Sequence, residues 1–158
     1  MSDDAFMTAA LAVGERARAG GNMPVGAVVV CDGRIVGEGP NLVLTETDPS
    51  AHAEIVAIRR AARALGRVDL SACTLYTTVE PCAMCTWSIV VARIPRLVVG
   101  VRHEAIGRPD MGRYSVEGLL DLTGRSLELV TGVRAAECEA AFGPWFREKG
   151  LDFFGFRR

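Results

Sequence analysis

The stretch TLYTTVEPCAMC, residues 74–85, joins a predicted strand to a predicted helix. The predicted strand covers residues 73–79, CTLYTTV, which are rich in apolar and β-branched residues, as is typical of a buried strand. Glu80 and Pro81 end that run, and an apolar segment of helical length, residues 82–93, begins at once. Pro81 suits the first turn of this helix, where its missing N–H would have no partner. Trp87 is expected to fill the core rather than narrow a pocket or line a dimer interface.

Two further strands precede this stretch and form a predicted hairpin. The apolar segments VGAVVVC, residues 25–31, and RIVGEG, residues 34–39, are separated only by Asp32 and Gly33. An Asp-Gly pair between apolar runs favours a tight hairpin turn. The first two strands are therefore antiparallel, whereas later strands are separated by helices, so we expect a mixed sheet.

The rest of the chain continues the alternation of helices and strands. Predicted helices lie within residues 4–19, 48–65, 116–120 and 134–150, and predicted strands cover residues 96–101 and 126–131. Ser50 is the candidate N-cap of the second helix. This alternation predicts an α/β layered domain with helices on both faces of one sheet. A length of 158 residues is typical of one domain, so we expect a single domain over residues 1–158.

Composition and charge narrow the class of protein. Hydrophobic residues make up 49% of the chain, charged residues 23%, and the net charge is −1, which is typical of a soluble globular protein. Such a chain has no overall basic field to attract nucleic acid or a membrane surface. The most apolar stretch, residues 88–101, is interrupted by Arg93, Pro95 and Arg96, so we do not expect it to span a bilayer.

The N-terminus and the cysteines indicate a compartment. The first ten residues, MSDDAFMTAA, carry acids where a signal peptide carries bases. We therefore expect a cytoplasmic protein with reduced thiols. The five cysteines, an odd number, are Cys31, Cys73, Cys82, Cys85 and Cys138.

Cys82 and Cys85 lie three residues apart at a predicted helix start. Free N–H groups and the positive end of the helix dipole favour thiolate at that position. Thiolate serves both zinc binding and redox chemistry, and a pair of small core residues is a third possibility, so position alone leaves all three open. A metal site needs further ligands, and the chain has only two histidines, His52 and His103.

His52 lies at the predicted start of the second helix, two residues before Glu54. Two helix starts at the same edge of the sheet could bring His52, Cys82 and Cys85 to one ion. Three protein ligands leave a tetrahedral zinc with an open position for water, whose pKa zinc can lower to roughly 7. Glu54 could then carry the water's proton without binding zinc. His-x-Glu alone is usually an exposed helix start, but followed by Pro-Cys-x-x-Cys it matches the zinc deaminase signature.

The segments AHAEIVAIR, residues 51–59, and TLYTTVEPCAMC resemble the cytidine deaminase-like superfamily of zinc hydrolases. The resemblance extends from about residue 7 to residue 149. It implies a three-layer α/β/α sandwich around a five-stranded mixed sheet, usually in a homodimer or higher oligomer. It also implies one Zn²⁺ per chain, held by His52, Cys82 and Cys85, with Glu54 as the proton shuttle. The implied reaction is hydrolytic: hydroxide attacks a ring carbon that bears an exocyclic amine, and ammonia leaves.

The signals for the substrate divide within this superfamily. HAE and EPC resemble the branch of tRNA adenosine deaminases and small guanine deaminases, whereas TLYTT, MCT, IPRLVVG and WFREKG are similar to fungal cytosine deaminase. Cytosine is the leading expectation and guanine the next, each as a free base or related amino-heterocycle. Deamination of adenosine in tRNA is the alternative, and a CxxC redox or structural zinc protein is a distant one.

Charge argues against nucleic acid as a partner. The chain has one lysine, Lys149, and residues 105–113, AIGRPDMGR, do not reproduce the Lys-Thr-Gly-Ala-like stretch of the tRNA branch. Binding to RNA usually needs a basic surface for phosphate contacts. We therefore expect a small nucleobase-like substrate and neither a nucleic acid nor a membrane as partner.

Four residues are candidate substrate contacts. The resemblance matches Asn41, in the loop before His52, to an asparagine that binds a ring carbonyl or ring nitrogen; alternatively, Asn41 only tolerates an unusual turn. Trp145 and Glu148 match a Trp and an Asp that close over the base in cytosine deaminase, although Glu is one methylene longer. His103 could replace an aromatic residue of that enzyme or be a surface histidine.

Overall fold

The computed structural model of the chain describes residues 2–150. Five strands form one sheet in the order β2-β1-β3-β4-β5. They are β1 (Gly26–Cys31), β2 (Arg34–Pro40), β3 (Cys73–Val79), β4 (Arg96–Val101) and β5 (Glu128–Thr131). Strand β1 pairs antiparallel with β2 and β3, whereas β3 with β4 and β4 with β5 are parallel. The predicted five-stranded mixed sheet is confirmed.

Helices cover both faces of this sheet, as predicted for a three-layer α/β/α sandwich. They are α1 (Asp3–Ala19), α2 (Ala53–Leu65), α3 (Ala83–Val91), α4 (His103–Ile106), α5 (Val116–Thr123) and α6 (Ala135–Trp145). A Cβ atom at Gly26 would meet α1, whereas one at Gly39, on the strand paired with β1, would meet α2. Since Gly26 and Gly39 face opposite sides of the sheet, α1 and α2 occupy different layers. Helix α6 packs with α1, and α3 packs with α2.

The central strands form the core. Every residue of β1 is buried, and in β3 all residues but one are buried. Strands covered on both faces carry near-continuous apolar runs rather than alternating patterns. Among the described residues, no helix is long and apolar enough to cross a bilayer.

Two glycines let α2 lie directly on β2. A Cβ atom at Gly39 would lie 1.9 Å from the carbonyl oxygen of Ala53, and one at Gly37 would lie 2.4 Å from that of Ala57. Both distances are far below van der Waals contact, so only glycine permits this approach. The packing fixes the N-terminal end of α2 against the sheet.

Helices α2 and α3 begin one or two residues later in the chain than predicted. His52, and not Ser50, is the N-cap of α2, because the Ser50 hydroxyl donates to Asp48 Oδ1 at 2.7 Å instead. The N-cap of α3 is Cys82, so Pro81 lies before the helix. The prediction that Pro81 belongs to the first turn of this helix is wrong.

The C-terminal part of the chain also differs from the prediction. Helix α6 ends at Trp145, one residue after Pro144, and continues as a π-helical turn, Phe146–Gly150. Proline has no N–H to donate within a helix, which disturbs the regular ladder. The short helix α4 was not predicted, whereas α5 lies where the short helix was expected.

Trp87 is 41% exposed, so the prediction that its side chain fills the core is wrong.

Candidate metal centre and active site

The imidazole of His52 and the thiols of Cys82 and Cys85 meet beyond the carboxyl end of β3. Cys82 Sγ lies 3.6 Å from His52 Nδ1 and 3.6 Å from Cys85 Sγ. Cys85 Sγ lies 3.5 Å from His52 Nδ1. A tetrahedral zinc with Zn–S bonds of about 2.3 Å and a Zn–N bond of about 2.0 Å separates such atoms by roughly 3.5–3.8 Å. The three ligand atoms therefore have the spacing of one face of a tetrahedral zinc site.

Two helix starts produce this arrangement. His52 is the N-cap of α2 and Cys82 is the N-cap of α3, and neither side chain caps its own helix. Their side chains are thus directed to each other instead of to the backbone of the first turn. The positive ends of the two helix dipoles favour negative charge at the point where the ligands meet.

The thiols are electronically unequal. The hydrogen bond with the Cys85 thiol lowers the pKa of Cys82 to about 4, and His52 contributes in the same direction against the effect of burial. The neighbouring Cys82 sulfur and burial raise the pKa of Cys85. The lowered pKa favours the thiolate form of Cys82, and thiolate is the form of cysteine that binds metals.

The carboxyl group of Glu54 is buried beside the ligands, with 4% of the residue exposed. The Thr77 hydroxyl lies 3.0 Å from Glu54 Oε1 and 3.1 Å from the Val79 carbonyl oxygen. Since Thr77 has one hydroxyl hydrogen, both contacts are full hydrogen bonds only when Glu54 is protonated and donates to Thr77. Burial raises the pKa of Glu54, and the negative charge on Cys82 raises it further. The carboxyl group can therefore hold a proton at this position.

A small pocket opens onto the ligands and includes Asn41. Its other walls include Met23, Val25, Glu54 and Arg108. Asn41 is 2% exposed, its N–H donates to the Val25 carbonyl at 3.0 Å, and its Oδ1 accepts from the Val43 N–H at 3.3 Å. The structure thus places Asn41, His52, Glu54 and Cys82 on one pocket, with Cys85 directly behind.

Arg108 is a pocket residue that sequence reasoning missed. Its side chain is 8% exposed and pairs with Asp110, whose side chain is 5% exposed; Arg108 Nε donates to Asp110 Oδ1 at 3.0 Å. The guanidinium carbon lies 5.8 Å from the ring centre of Phe142 and 5.2 Å from that of Phe146. The two aromatic rings and the adjacent carboxylate therefore both attract the guanidinium to this position at the pocket wall. The spacing Arg-x-Asp in residues 105–113 was the available signal.

The other three predicted substrate contacts lie elsewhere. His103 is 5% exposed, and its two ring nitrogens have no hydrogen-bond partner among residues 2–150. It lines a neighbouring cleft with Tyr114, whose ring centre is 6.1 Å away, and Arg108 borders both this cleft and the pocket. Trp145 and Glu148 line a cleft between α1 and α6. The substrate roles of these three residues stay predictions.

Comparison with known proteins identifies the family. The family model for the cytidine and deoxycytidylate deaminase zinc-binding region matches residues 1–101. The chain therefore belongs to this family of zinc-binding deaminases, which are hydrolases that act on C–N bonds. Membership of this family confirms the predicted zinc cofactor, and His52, Cys82 and Cys85 are positioned as possible ligands.

Three similar proteins bear on the substrate. A tRNA-specific adenosine deaminase of Haemophilus influenzae is 38% identical over 148 residues, which cover 93% of this chain and 84% of that protein. A guanine deaminase of Bacillus subtilis is 43% identical over 104 residues, which cover 65% of this chain and 67% of that protein. The solved structure of a tRNA:A34 deaminase, from a study of A-to-I editing at the wobble position of tRNA, has a TM-score of 0.71 and 32% identity, covering 86% of this chain and 97% of that one.

These relatives overturn one expectation. The prediction that nucleic acid is not a partner is wrong, because tRNA-specific adenosine deaminases are similar to nearly the whole chain. The net charge of −1 averages over the entire surface, whereas contact with a nucleic acid depends on the charges near the site. The relatives also support the tRNA alternative better than the leading expectation of cytosine.

Proposed function

We propose that this protein is a zinc-dependent hydrolase that converts adenosine in a tRNA to inosine. The observation that carries the proposal is the zinc-spaced triangle of His52, Cys82 and Cys85 in a chain that is 38% identical, over 93% of its length, to a tRNA-specific adenosine deaminase. The coarser conclusion, a deaminase of the zinc-binding family, does not depend on the substrate.

The proposed reaction replaces the amine on C6 of adenine by oxygen. His52, Cys82 and Cys85 would hold the zinc, which when bound would supply a Lewis acid for the attacking water. Glu54 accepts a proton from the attacking water and delivers it to the departing amine. Adenosine and water are consumed, and inosine and ammonia are formed, so atoms and charge balance.

The pocket offers two polar groups to hold the base. The Asn41 amide can donate to and accept from the edge of a purine ring. Arg108 presents a guanidinium, which suits ring nitrogens, carbonyl oxygens and phosphate oxygens. Because the ligands lie in a recess, a base in RNA must leave its stack to reach them.

Guanine is the second candidate substrate. It is favoured by the 43% identity to a guanine deaminase over 104 residues. A free base makes no phosphate contacts, so its deamination should depend little on salt, whereas binding of RNA weakens steeply as salt is raised.

The test is an ammonia-release assay with zinc-loaded protein. The panel contains a tRNA with adenosine in its anticodon loop, the same tRNA with that adenosine replaced by uridine, and free adenosine, guanine and cytosine. We expect ammonia and inosine from the first tRNA alone, with kcat/KM falling at least tenfold between 50 and 200 mM salt, as roughly expected for several phosphate contacts. Salt-independent turnover of guanine would favour the second candidate. Turnover of free bases without any reaction on tRNA would contradict the proposal.

The homodimer that the resemblance implies stays a proposal. Light scattering of the purified protein tests it, and a molar mass of twice the 16.9 kDa of one chain is expected. A mass of one chain at micromolar concentration would contradict it.

A further inference from the structure

Tyr114 bridges the two ends of the turn that carries both thiols. We define the thiol turn as residues 81–86. Tyr114 Oη lies 2.8 Å from the Pro81 carbonyl oxygen and 2.6 Å from Thr86 Oγ1. Pro81 directly precedes Cys82, and Thr86 directly follows Cys85. One phenol group therefore connects the residues on either side of the two cysteines.

The direction of these hydrogen bonds follows from the number of hydrogens. A carbonyl oxygen can only accept, so the Tyr114 hydroxyl donates to Pro81. That bond uses the single hydroxyl hydrogen of Tyr114, so Thr86 must donate to Tyr114. Thr86 is 0% exposed, so water cannot easily replace its partner. A buried hydroxyl that loses its partner is destabilising.

A second set of bonds anchors the segment on which Tyr114 lies. The Glu80 carboxylate, in a residue 4% exposed, accepts from the His103 N–H at 2.9 Å and from the Val116 N–H at 3.2 Å. Glu80 also pairs with Arg102 at 3.0 Å. Both ends of the segment from residue 102 to residue 116 are thus held without the Tyr114 hydroxyl. Removing that hydroxyl should release the thiol turn and leave the segment in place.

We propose that Tyr114 is a positioning residue for the thiol ligands. Its hydroxyl fixes the two ends of the thiol turn and so keeps both sulfurs facing the His52 imidazole. Groups that orient metal ligands through hydrogen bonds commonly change metal affinity 10- to 100-fold when they are removed. The inference rests on the zinc site of the proposed function but not on its substrate.

The test measures zinc retention without any substrate. Tyr114→Phe removes the hydroxyl and keeps the ring. We expect zinc transfer to a chromogenic chelator to be about tenfold faster or more than in the unsubstituted protein. In the protein loaded with Co²⁺, we expect the cobalt–thiolate absorption bands to shift, because they report the geometry of the sulfur ligands.

The chain provides matched controls. Tyr76 is the other tyrosine, and its hydroxyl donates to Asp3 Oδ1 at 2.8 Å, away from the thiol turn. Tyr76→Phe should therefore keep the normal zinc-release rate and cobalt spectrum even if it lowers stability. Thr86→Val should act in the same direction as Tyr114→Phe, and Thr86→Ser, which keeps the hydroxyl, should resemble the unsubstituted protein.

The outcomes separate positioning from general stability. Normal zinc release and an unchanged cobalt spectrum in Tyr114→Phe would overturn the proposal. Equal acceleration in Tyr76→Phe would overturn it as well, because the effect would then be global. If Tyr114→Phe does not fold, the comparison of Thr86→Val with Thr86→Ser decides, and equal zinc release by these two variants would reject the role. Failure of the tRNA assay would leave this result untouched, since zinc release is measured without substrate.

Discussion

Cys82 Sγ lies 3.6 Å from His52 Nδ1, although the two residues are 30 positions apart in the chain. The contact exists because each residue is the N-cap of a helix that begins at the same end of the sheet. Helix α2 is fixed there by its close approach to β2, and α3 follows β3 after a short connection. The metal centre is thus a product of two helix starts rather than of any single loop.

Glu54→Gln should separate catalysis from metal binding. The amide keeps the size of the side chain but cannot transfer the proton, so ammonia release should fall roughly 10²- to 10⁴-fold. Zinc content should remain one per chain, because Glu54 is not among the three ligands. Glu46→Gln, at an exposed position, is the matched control and should be fully active. Undiminished activity in Glu54→Gln would contradict the proposed role.

The two asparagines of the chain should differ in their effect on catalysis. Asn41→Ala removes a pocket amide, so we expect kcat/KM to fall about 10- to 100-fold. It also removes the acceptor of the Val43 N–H, so the free energy of unfolding should fall by about 1 kcal/mol. Asn22 holds the neighbouring loop, since its Oδ1 accepts from the N–H groups of Leu44 at 3.0 Å and Thr45 at 3.2 Å. Asn22→Ala should mainly lower the free energy of unfolding, by about 1–3 kcal/mol. Steady-state kinetics and thermal unfolding test both, and the reverse pattern would refute the assignment.

Gly39→Ala should disturb both stability and the metal centre. The new Cβ atom would lie 1.9 Å from the Ala53 carbonyl oxygen, so α2 must move away from the sheet. We expect a loss of about 3 kcal/mol or more in the free energy of unfolding, and weaker zinc binding because His52 moves with α2. In Gly20→Ala, the new Cβ atom would lie 3.4 Å from the nearest atom, the Arg16 carbonyl oxygen, so the free energy of unfolding should differ by less than about 0.5 kcal/mol. Urea unfolding of both variants is the measurement, and equal stability would count against the packing argument.

Asp3 should make stability depend on pH. The Asp3 carboxylate pairs with Arg96 at 2.9 Å and accepts from Tyr76 at 2.8 Å, which ties α1 to the sheet. The hydrogen bond from Arg96 holds the pKa of Asp3 below its ordinary value, with Tyr76 acting in the same direction. A lowered pKa in the folded state stabilises above the unfolded pKa of about 3.9, and this stabilisation is lost as pH falls through the folded pKa.

Asp3→Asn provides the comparison. We expect the free energy of unfolding of this variant to be lower by about 1–2 kcal/mol at pH 7. The difference should be constant down to about pH 5 and should shrink below about pH 4. Chemical unfolding at several pH values measures it. A difference that stays constant between pH 7 and pH 3 would show that the carboxylate charge is not responsible.

The strands next to the metal ligands could be predicted because their apolar runs are long and end at clear breaks in the sequence. Strands β3 and β4 have the predicted bounds, since apolar runs ended by Glu80-Pro81 and by Arg102 leave little freedom. The start of α2 was harder to predict, because Ser50 and His52 can both occupy the N-cap position. The choice depends on the hydrogen bond between Ser50 and Asp48. The metal ligands and Glu54 could be proposed because few histidines and one CxxC leave few combinations.

The pocket walls were harder to predict because they depend on the path of long connections. Arg108 reaches the pocket only through the course of the segment after β4, and its pairing with Asp110 is not a regular periodic pattern. Trp145 and Glu148 follow Pro144, after which the helix becomes a π-helical turn, so helical spacing did not give their direction. The exclusion of nucleic acid as a partner was wrong because net charge averages over the whole surface.

The most direct test of the account is the zinc content of the purified protein, measured together with ammonia release from its substrate. We predict one zinc per chain, parallel loss of zinc and activity during treatment with a chelator, and recovery of both when Zn²⁺ is returned. A folded protein that lacks zinc and other transition metals yet releases ammonia at the full rate would contradict the central claim.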